Sequence, residues 1–286
     1  MKLYFVNANF RNLSYADEIF RKFNYPRHYL ISYHYYQKEK IDRAIDKYFA
    51  GVAPEIIADS GAFSSYTKGS PIRIEEYAAW LKQWQSFFAA YANLDLIGDV
   101  LQSRKNQSYL ESQGLTPFPV FHLGESYEEL KAYCRDYSYV ALGGLYRTPN
   151  TPAVWDYVVR CFRIKQDNFP HVQFHGFGIT VYDMIRDLPW YSVDSTTWVV
   201  GAAYGWLLVF DKQRKKLLNI SKNDAPAIMR NMKYIYHPYL NLAGVTSKFN
   251  DKDALRHGAY QMMQLHHSLE DDKEKHYGKD YKRHDI

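Results

Sequence analysis

Three aspartates each close a short apolar run: Asp59 after Glu55-Ile-Ile-Ala, Asp99 after Leu94-Asp-Leu-Ile-Gly, and Asp194 after Tyr191-Ser-Val. His122 and His175 close two more such runs, Phe118-Pro-Val-Phe and Val172-Gln-Phe, while Asn7 and Asn9 end the first one and Gly143-Gly144 another. A buried parallel strand whose C-terminal end lines a mouth reads this way, apolar along its length and polar or glycine at its tip. Carboxylates gathered at one mouth suit glycosyl transfer. One attacks or stabilises an oxocarbenium-like C1′, and another moves the proton of the leaving base. Gly61, Gly143, Gly144, Gly176 and Gly178 let a planar ligand lie against the backbone, and Phe63, Tyr146, Phe177 and Trp198 offer stacking faces.

Each piece also has a plainer reading. An aspartate at a strand end often caps the next helix, a histidine is often a satisfied core residue, and paired glycines can be tight turns. Neither glycine cluster is GxGxxG, so no dinucleotide site is expected, and no GxSxG elbow occurs. No metal or other cofactor is expected.

The elements needed to position these residues can be read along the chain. Apolar runs alternate with helical periodicity at spacings of roughly 20–40 residues, which predicts a parallel sheet. The predicted fold is α/β, a TIM-like (β/α)8 barrel, with runs at 3–9, 55–59, 94–99, 118–122, 139–144, 172–178 and 191–194 as its first seven strands. The eighth has two candidates, Leu242–Val245 and the first arm of a hairpin over about 205–220. That hairpin is an insertion after strand 7, and helices are expected at 224–236 and 251–269. One domain is predicted over 1–269, followed by an exposed charged tail over 270–286.

Composition narrows the partners. The chain has 286 residues, 47% hydrophobic and 17% aromatic, enough to build a large core. Its two cysteines, Cys134 and Cys161, fall in no CxxC, which fits a reducing cytoplasm and speaks against a disulfide framework. The opening Met1-Lys-Leu-Tyr-Phe-Val reads as a strand and not as a signal peptide. The longest apolar run, Trp198 to Phe210, is too short and glycine-broken to span a bilayer, so no membrane association is expected. The net charge of +5 equals the excess of seven basic over two acidic residues between Asp211 and Lys233. Lys212, Arg214, Lys215 and Lys216 at the hairpin tip are either a solvated surface or a phosphate-contacting patch.

Taken in order, Asp59-Ser60-Gly61-Ala62-Phe63, Asp99, Gly143-Gly144-Leu145, His175-Gly176-Phe177-Gly178 and Ser192-Val-Asp194-Ser195 resemble the tRNA-guanine transglycosylase superfamily. The likeness covers roughly residues 3–205. With Pro119-Val-Phe-His122 and Trp190-Tyr-Ser-Val-Asp-Ser-Thr196, it is greatest to the phage branch that places 7-deazaguanine derivatives in DNA. The usual first motif is Asp-Ser-Gly-Gly-Phe, so Ala62 is a departure. The resemblance implies Asp194 as the nucleophile that displaces guanine, Asp59 as acid/base, and Asp99 as reader of the Watson–Crick edge. Ser60, Gly61, Phe63, Gly143, Gly144, Leu145, His175 and Gly176 would contact or frame the base. His122 stands where the tRNA enzymes carry a base-reading glutamine. The implied partners are DNA and a free 7-deazaguanine such as 7-cyano-7-deazaguanine, with tRNA the alternative nucleic acid. A hydrolytic N-glycosidase and a non-catalytic nucleic-acid-binding barrel are the rival activities. The tRNA enzymes carry a cysteine-rich zinc subdomain after the nucleophile. This chain has no cysteine beyond Cys161, and the basic hairpin stands there instead.

Overall fold

A computed structural model describes residues 1–145, 151–221 and 251–277. Its eight-stranded sheet comprises β1 (Lys2–Val6), β2 (His28–Ser32), β3 (Glu55–Asp59), β4 (Ala90–Tyr91), β5 (Val120–His122), β6 (Tyr139–Gly143), β7 (Gln173–Gly176) and β8 (Ser192–Ser195). The strand order is β4-β3-β2-β1-β8-β7-β6-β5, and every pairing is parallel. Between the outermost strands, Ala92 bridges Phe118. There the Phe118 N–H donates to the Tyr91 carbonyl and the Asn93 N–H to the Phe118 carbonyl, both at 2.9 Å. The sheet thus curls into a (β/α)8 barrel, as the alternating pattern predicted.

The helices between strands are α1 (Phe10–Phe23), α2 (Tyr33–Tyr36), α3 (Ile41–Phe49), α4 (Ala62–Lys68), α5 (Ile74–Trp84), α6 (Val100–Ser112), α7 (Tyr127–Asp136), α8 (Pro152–Asn168) and α9 (Tyr182–Asp187). After β8 come α10 (Thr197–Tyr204), the antiparallel hairpin β9 (Trp206–Asp211) and β10 (Lys216–Ser221), and α11 (Asp251–Tyr277).

The chain divides into two compact units where one domain over 1–269 was expected. The first, Met1–Asn9 with His28–Ser195, holds all eight barrel strands. The second, Phe10–Arg27 with Thr196–Ile286, holds α1, α10, the hairpin and α11. In this second unit Gly258 packs so closely on Trp198 that an added Cβ would lie 2.2 Å from the Trp198 carbonyl oxygen.

Three expectations are corrected. The missing strand is β2 (His28–Ser32), which runs into the aromatic residues up to Tyr36, so Asp194 belongs to the eighth strand and the hairpin follows strand 8 rather than strand 7. Residues 94–99 are not a strand, although their apolar–acidic alternation has strand period. Their backbone is claimed by side chains of α6 instead: Ser103 Oγ accepts from the Leu96 N–H at 2.8 Å, and Asn106 Nδ2 donates to the Leu94 carbonyl at 2.7 Å. The tail is helical to Tyr277, with Lys273 fully buried in α11 and Asp272 paired to Lys215, so its first part is neither frayed nor wholly exposed. The predicted helix at 224–236 and the strand candidate Leu242–Val245 lie outside the described residues.

Inside the barrel, Tyr4, Leu30, Ile57, Ala92, Phe118, Val120 and Ala141 form one buried cluster. Side chains alternate along a strand, so the inward face of Ile57 continues to Asp59, that of Val120 to His122, and that of Ala141 to Gly143. Tyr4 pairs in register with Asp194, which turns Asp194 the same way. The packing that fills the barrel therefore also aims the chemical groups at its C-terminal mouth. Among the described residues no helix is long and apolar enough to cross a membrane. Cys134 and Cys161 are free and buried.

Candidate active site

Asp194 is 6% exposed. Its Oδ1 accepts the Gly178 N–H at 2.9 Å and lies 3.2 Å from His175 Nε2. A carboxylate only accepts, so Nε2 carries a hydrogen. The Ser192 hydroxyl meets Nδ1 at 2.8 Å and the Tyr139 hydroxyl at 2.7 Å. The resulting line runs from Tyr139 through Ser192 and His175 to Asp194 Oδ1, with burial raising the Tyr139 pKa and keeping that phenol a donor. Asp194 Oδ2 has no protein hydrogen bond among the described residues. One oxygen is fixed and the other is presented. His175 is fully buried, and its contact with Asp194 holds that carboxylate in place.

Asp59 is half-buried at the end of β3, and its Oδ2 accepts the Gly61 N–H at 3.0 Å. Gly61 has φ +80°, and a Cβ there would fall 2.3 Å from Ser32 Oγ and 2.5 Å from His34 Cβ. Only glycine delivers its N–H at that point. Burial first, then the charges of Asp95 and Asp194, push the Asp59 carboxyl up to about 7, against the pull of the Gly61 and Ser60 amides. An acid with that pKa can give or take a proton near neutrality.

The third carboxylate at the mouth is Asp95, not Asp99. Asp99 is exposed and caps α6, accepting the Gln102 N–H at 2.9 Å. Asp95 is 7% exposed, and its Oδ2 lies 2.9 Å from His122 Nε2. The opposite ring nitrogen, Nδ1, lies 3.2 Å from Glu125 Oε1. Burial opposes a charge on His122, but Asp95 and Glu125 outweigh it and raise the ring to about 10. His122 therefore has no free nitrogen with which to read a base. Asp95 was legible as the alternate acid of Leu94-Asp-Leu-Ile-Gly-Asp99, whereas nothing local marked Glu125.

Gly143 carries the His122 ring: a Cβ there would lie 2.7 Å from Cδ2 and 2.9 Å from Nε2. Gly143→Ala is expected to displace the ring from Asp95 and destabilise the protein by about 1–3 kcal/mol. An unchanged urea midpoint with an unchanged His122 titration would show that the contact relaxes freely. Gly144 takes φ +79°, and Leu145 is buried beside it. Gly176 is packed under Ile179 and Trp190, with no room for a Cβ. Ser60 is fully buried, and its hydroxyl accepts the Ala62 N–H at 3.2 Å, so it shapes the turn into α4.

Of the proposed stacking faces, Phe63 is exposed, Phe177 packs on His175 and Phe118, and Trp198 is fully buried in the second unit. Tyr146 lies outside the described residues. At the hairpin tip Lys212, Arg214 and Lys216 are exposed. Lys215 is committed to α11 through Asp272 at 3.0 Å and Ser268 at 2.7 Å, which removes it from the patch. Among the described residues no group of three or more histidine, cysteine, aspartate or glutamate side chains is arranged to hold a metal.

Fold and mouth together define a (β/α)8 barrel with a carboxylate-lined C-terminal face. No protein-family model matches the chain, and no curated protein does. Among solved structures, a putative fructose-1,6-biphosphate aldolase from Coccidioides immitis is 12% identical, covering 95% of this chain and 91% of its own, at a TM-score of 0.53. A tryptophan synthase α-subunit variant from Pyrococcus furiosus is 14% identical, covering 70% of this chain and 89% of its own, at a TM-score of 0.46. At such identities the aldolase likeness speaks to the barrel fold alone.

Proposed function

We propose that this chain is a transglycosylase exchanging guanine in DNA for a 7-deazaguanine base through a covalent sugar–Asp194 intermediate. The observation that carries this reading is the set of unlike carboxylates at one mouth. Asp194 is clamped with a free oxygen, Asp59 is poised to titrate near neutrality, and Asp95 is ion-paired to His122. The order of motifs shared with the tRNA-guanine transglycosylase superfamily supports it.

Asp194 Oδ2 attacks C1′, the C1′–N9 bond breaks, and the departing guanine takes a proton from Asp59. A 7-deazaguanine then enters, Asp59 takes its N9 proton, N9 attacks C1′, and Asp194 leaves as carboxylate. Asp95 Oδ1, with no protein partner among the described residues, accepts from the N1–H and N2–H of either base. This role passes to Asp95 from Asp99. The main chain of Gly143, Gly144 and Leu145 frames the ring. The target nucleotide is unstacked first, because C1′ of a stacked base is out of reach.

DNA is favoured over tRNA because a basic hairpin follows the nucleophile where the tRNA enzymes place zinc ligands. Replacing Lys212, Arg214 and Lys216 with glutamine is expected to weaken DNA binding and lower the salt slope by up to roughly 3. Filter binding at several salt concentrations measures this, and an unchanged slope returns the tip to ordinary solvated surface. The activity itself is tested with guanine-labelled DNA and tRNA, each with and without 7-cyano-7-deazaguanine. Label release from DNA only when the acceptor is present is expected. Release without acceptor would mean hydrolysis, and release from tRNA alone would overturn the DNA assignment.

A further inference from the structure

Three carboxylates facing one mouth repel one another, and such sets lower their energy by sharing protons unequally. Their surroundings decide which acid holds the proton. Among the described residues Asp59 accepts hydrogen bonds only from amide N–H groups of its own turn, whereas Asp95 faces an imidazole at 2.9 Å. That imidazole lies between two carboxylates, with Glu125 Oε1 at 3.2 Å on its far side. A neutral ring has one N–H and cannot donate to both, so the ring bridging them carries two.

Glu125 is an expensive residue in this position. Its side chain is 7% exposed, and its Oε2 is buried with no hydrogen-bond partner among the described residues. A buried carboxylate oxygen without a donor is destabilising, so fold stability alone does not account for it. In the helical layer Tyr133 of α7 and Tyr157 of α8 feel the charge of Glu125, both phenols being raised first by burial. Arg104 of α6, whose guanidinium lies over the Tyr133 ring, is engaged by Glu129 at 2.6 Å. On the β6 side the ring packs on Gly143, which brings no charge, and the mouth adds Asp59 and Asp194.

We propose that Glu125 is a positioning residue for base recognition: by holding the proton on His122 it gives Asp95 a fixed countercharge, keeps Asp95 an acceptor, and leaves the mouth's mobile proton to Asp59. The identity of the base rests on the transglycosylase reading; the coupling of Glu125 to His122 and Asp95 does not. The arrangement divides labour between two otherwise similar acids, one that binds and one that moves a proton.

The test is an NMR titration of the histidine side chains, with His122→Gln assigning the resonance, beside calorimetric binding of guanine across pH. In the unchanged protein His122 is expected to stay protonated to pH 9, with guanine affinity unaffected by that ring below this pH. In Glu125→Gln, which keeps side-chain size, the ring is expected to titrate at least one unit lower. Guanine affinity is then expected to fall about tenfold above the new midpoint. A neutral His122 at pH 8 in the unchanged protein overturns the proposal whatever the variant does. So does a variant ring that titrates as before, or an affinity loss equal at every pH, which would mark a packing role. Should neither protein exchange bases while titration and guanine binding behave as expected, the transglycosylase reading falls and this coupling stands.

Discussion

Asp194→Asn is expected to lose at least about 10⁴-fold in base exchange while remaining folded, because it deletes the nucleophile and little else. Asparagine retains an oxygen to accept from the Gly178 N–H and His175 Nε2, the two donors now satisfied at 2.9 and 3.2 Å. The line through Ser192 and Tyr139 can therefore persist. An amide does not form the ester with C1′, so single-turnover guanine release is expected to disappear together with exchange. Alanine is a poorer probe. It strands both donors in a site that is 6% exposed, at a cost of about 1–3 kcal/mol, and would mix a folding defect into the kinetics. Exchange within tenfold of the unchanged protein in a well-folded Asp194→Asn would show that another group attacks the sugar.

Asp59→Asn is expected to move activity and stability in opposite directions. The amide cannot shuttle the proton between departing and entering base, and a loss of about 10²–10⁴-fold is expected. Burial and the neighbouring carboxylates set the Asp59 carboxyl at about 7, above the roughly 4 of an unfolded chain. A group raised on folding contributes its stability below the unfolded value and loses it as pH climbs through the folded value. The unchanged protein therefore loses stability from this site between about pH 4 and pH 7, and the loss is complete above that. Asp59→Asn escapes it. Its advantage is expected to be near zero at pH 4 and to grow to no more than about 4 kcal/mol by pH 8. Urea unfolding at pH 4.5, 6 and 8 measures the difference. A gap that does not widen with pH would mean that Asp59 does not carry its proton into the neutral range.

The barrel was largely readable because buried parallel strands with polar tips announce themselves, as Glu55–Asp59, Tyr139–Gly143 and Ser192–Ser195 did. His28–Ser32 was hidden because aromatic residues continue past its end into Tyr33-His-Tyr-Tyr36, and Ser32 alone, with no glycine or acid, marks the strand tip. Leu94–Asp99 misled for the opposite reason. Its alternation has strand period, but Ser103 and Asn106, a helical turn apart, claim its backbone. The same shift moved the third acid from Asp99 to Asp95. Asp194 and Asp59 could be read as a pair because each stands at the tip of a true strand, whereas the burial of His175 depends on Tyr4 of β1 as well as on Phe177, just past the end of its own strand. Glu125 follows no pattern of its own. It acts through a ring whose seat is a glycine on the next strand, and that relation exists only in three dimensions.

The central claim is that a sugar becomes covalently attached to Asp194. Its most direct test mixes the protein with guanine-containing DNA without acceptor base, denatures it, digests both polymers, and maps any modified peptide by mass spectrometry. The account predicts a deoxyribose-linked adduct on Asp194, absent from Asp194→Asn and discharged when 7-cyano-7-deazaguanine is added before denaturation. An adduct on another residue, or guanine release with no adduct at all, would contradict it.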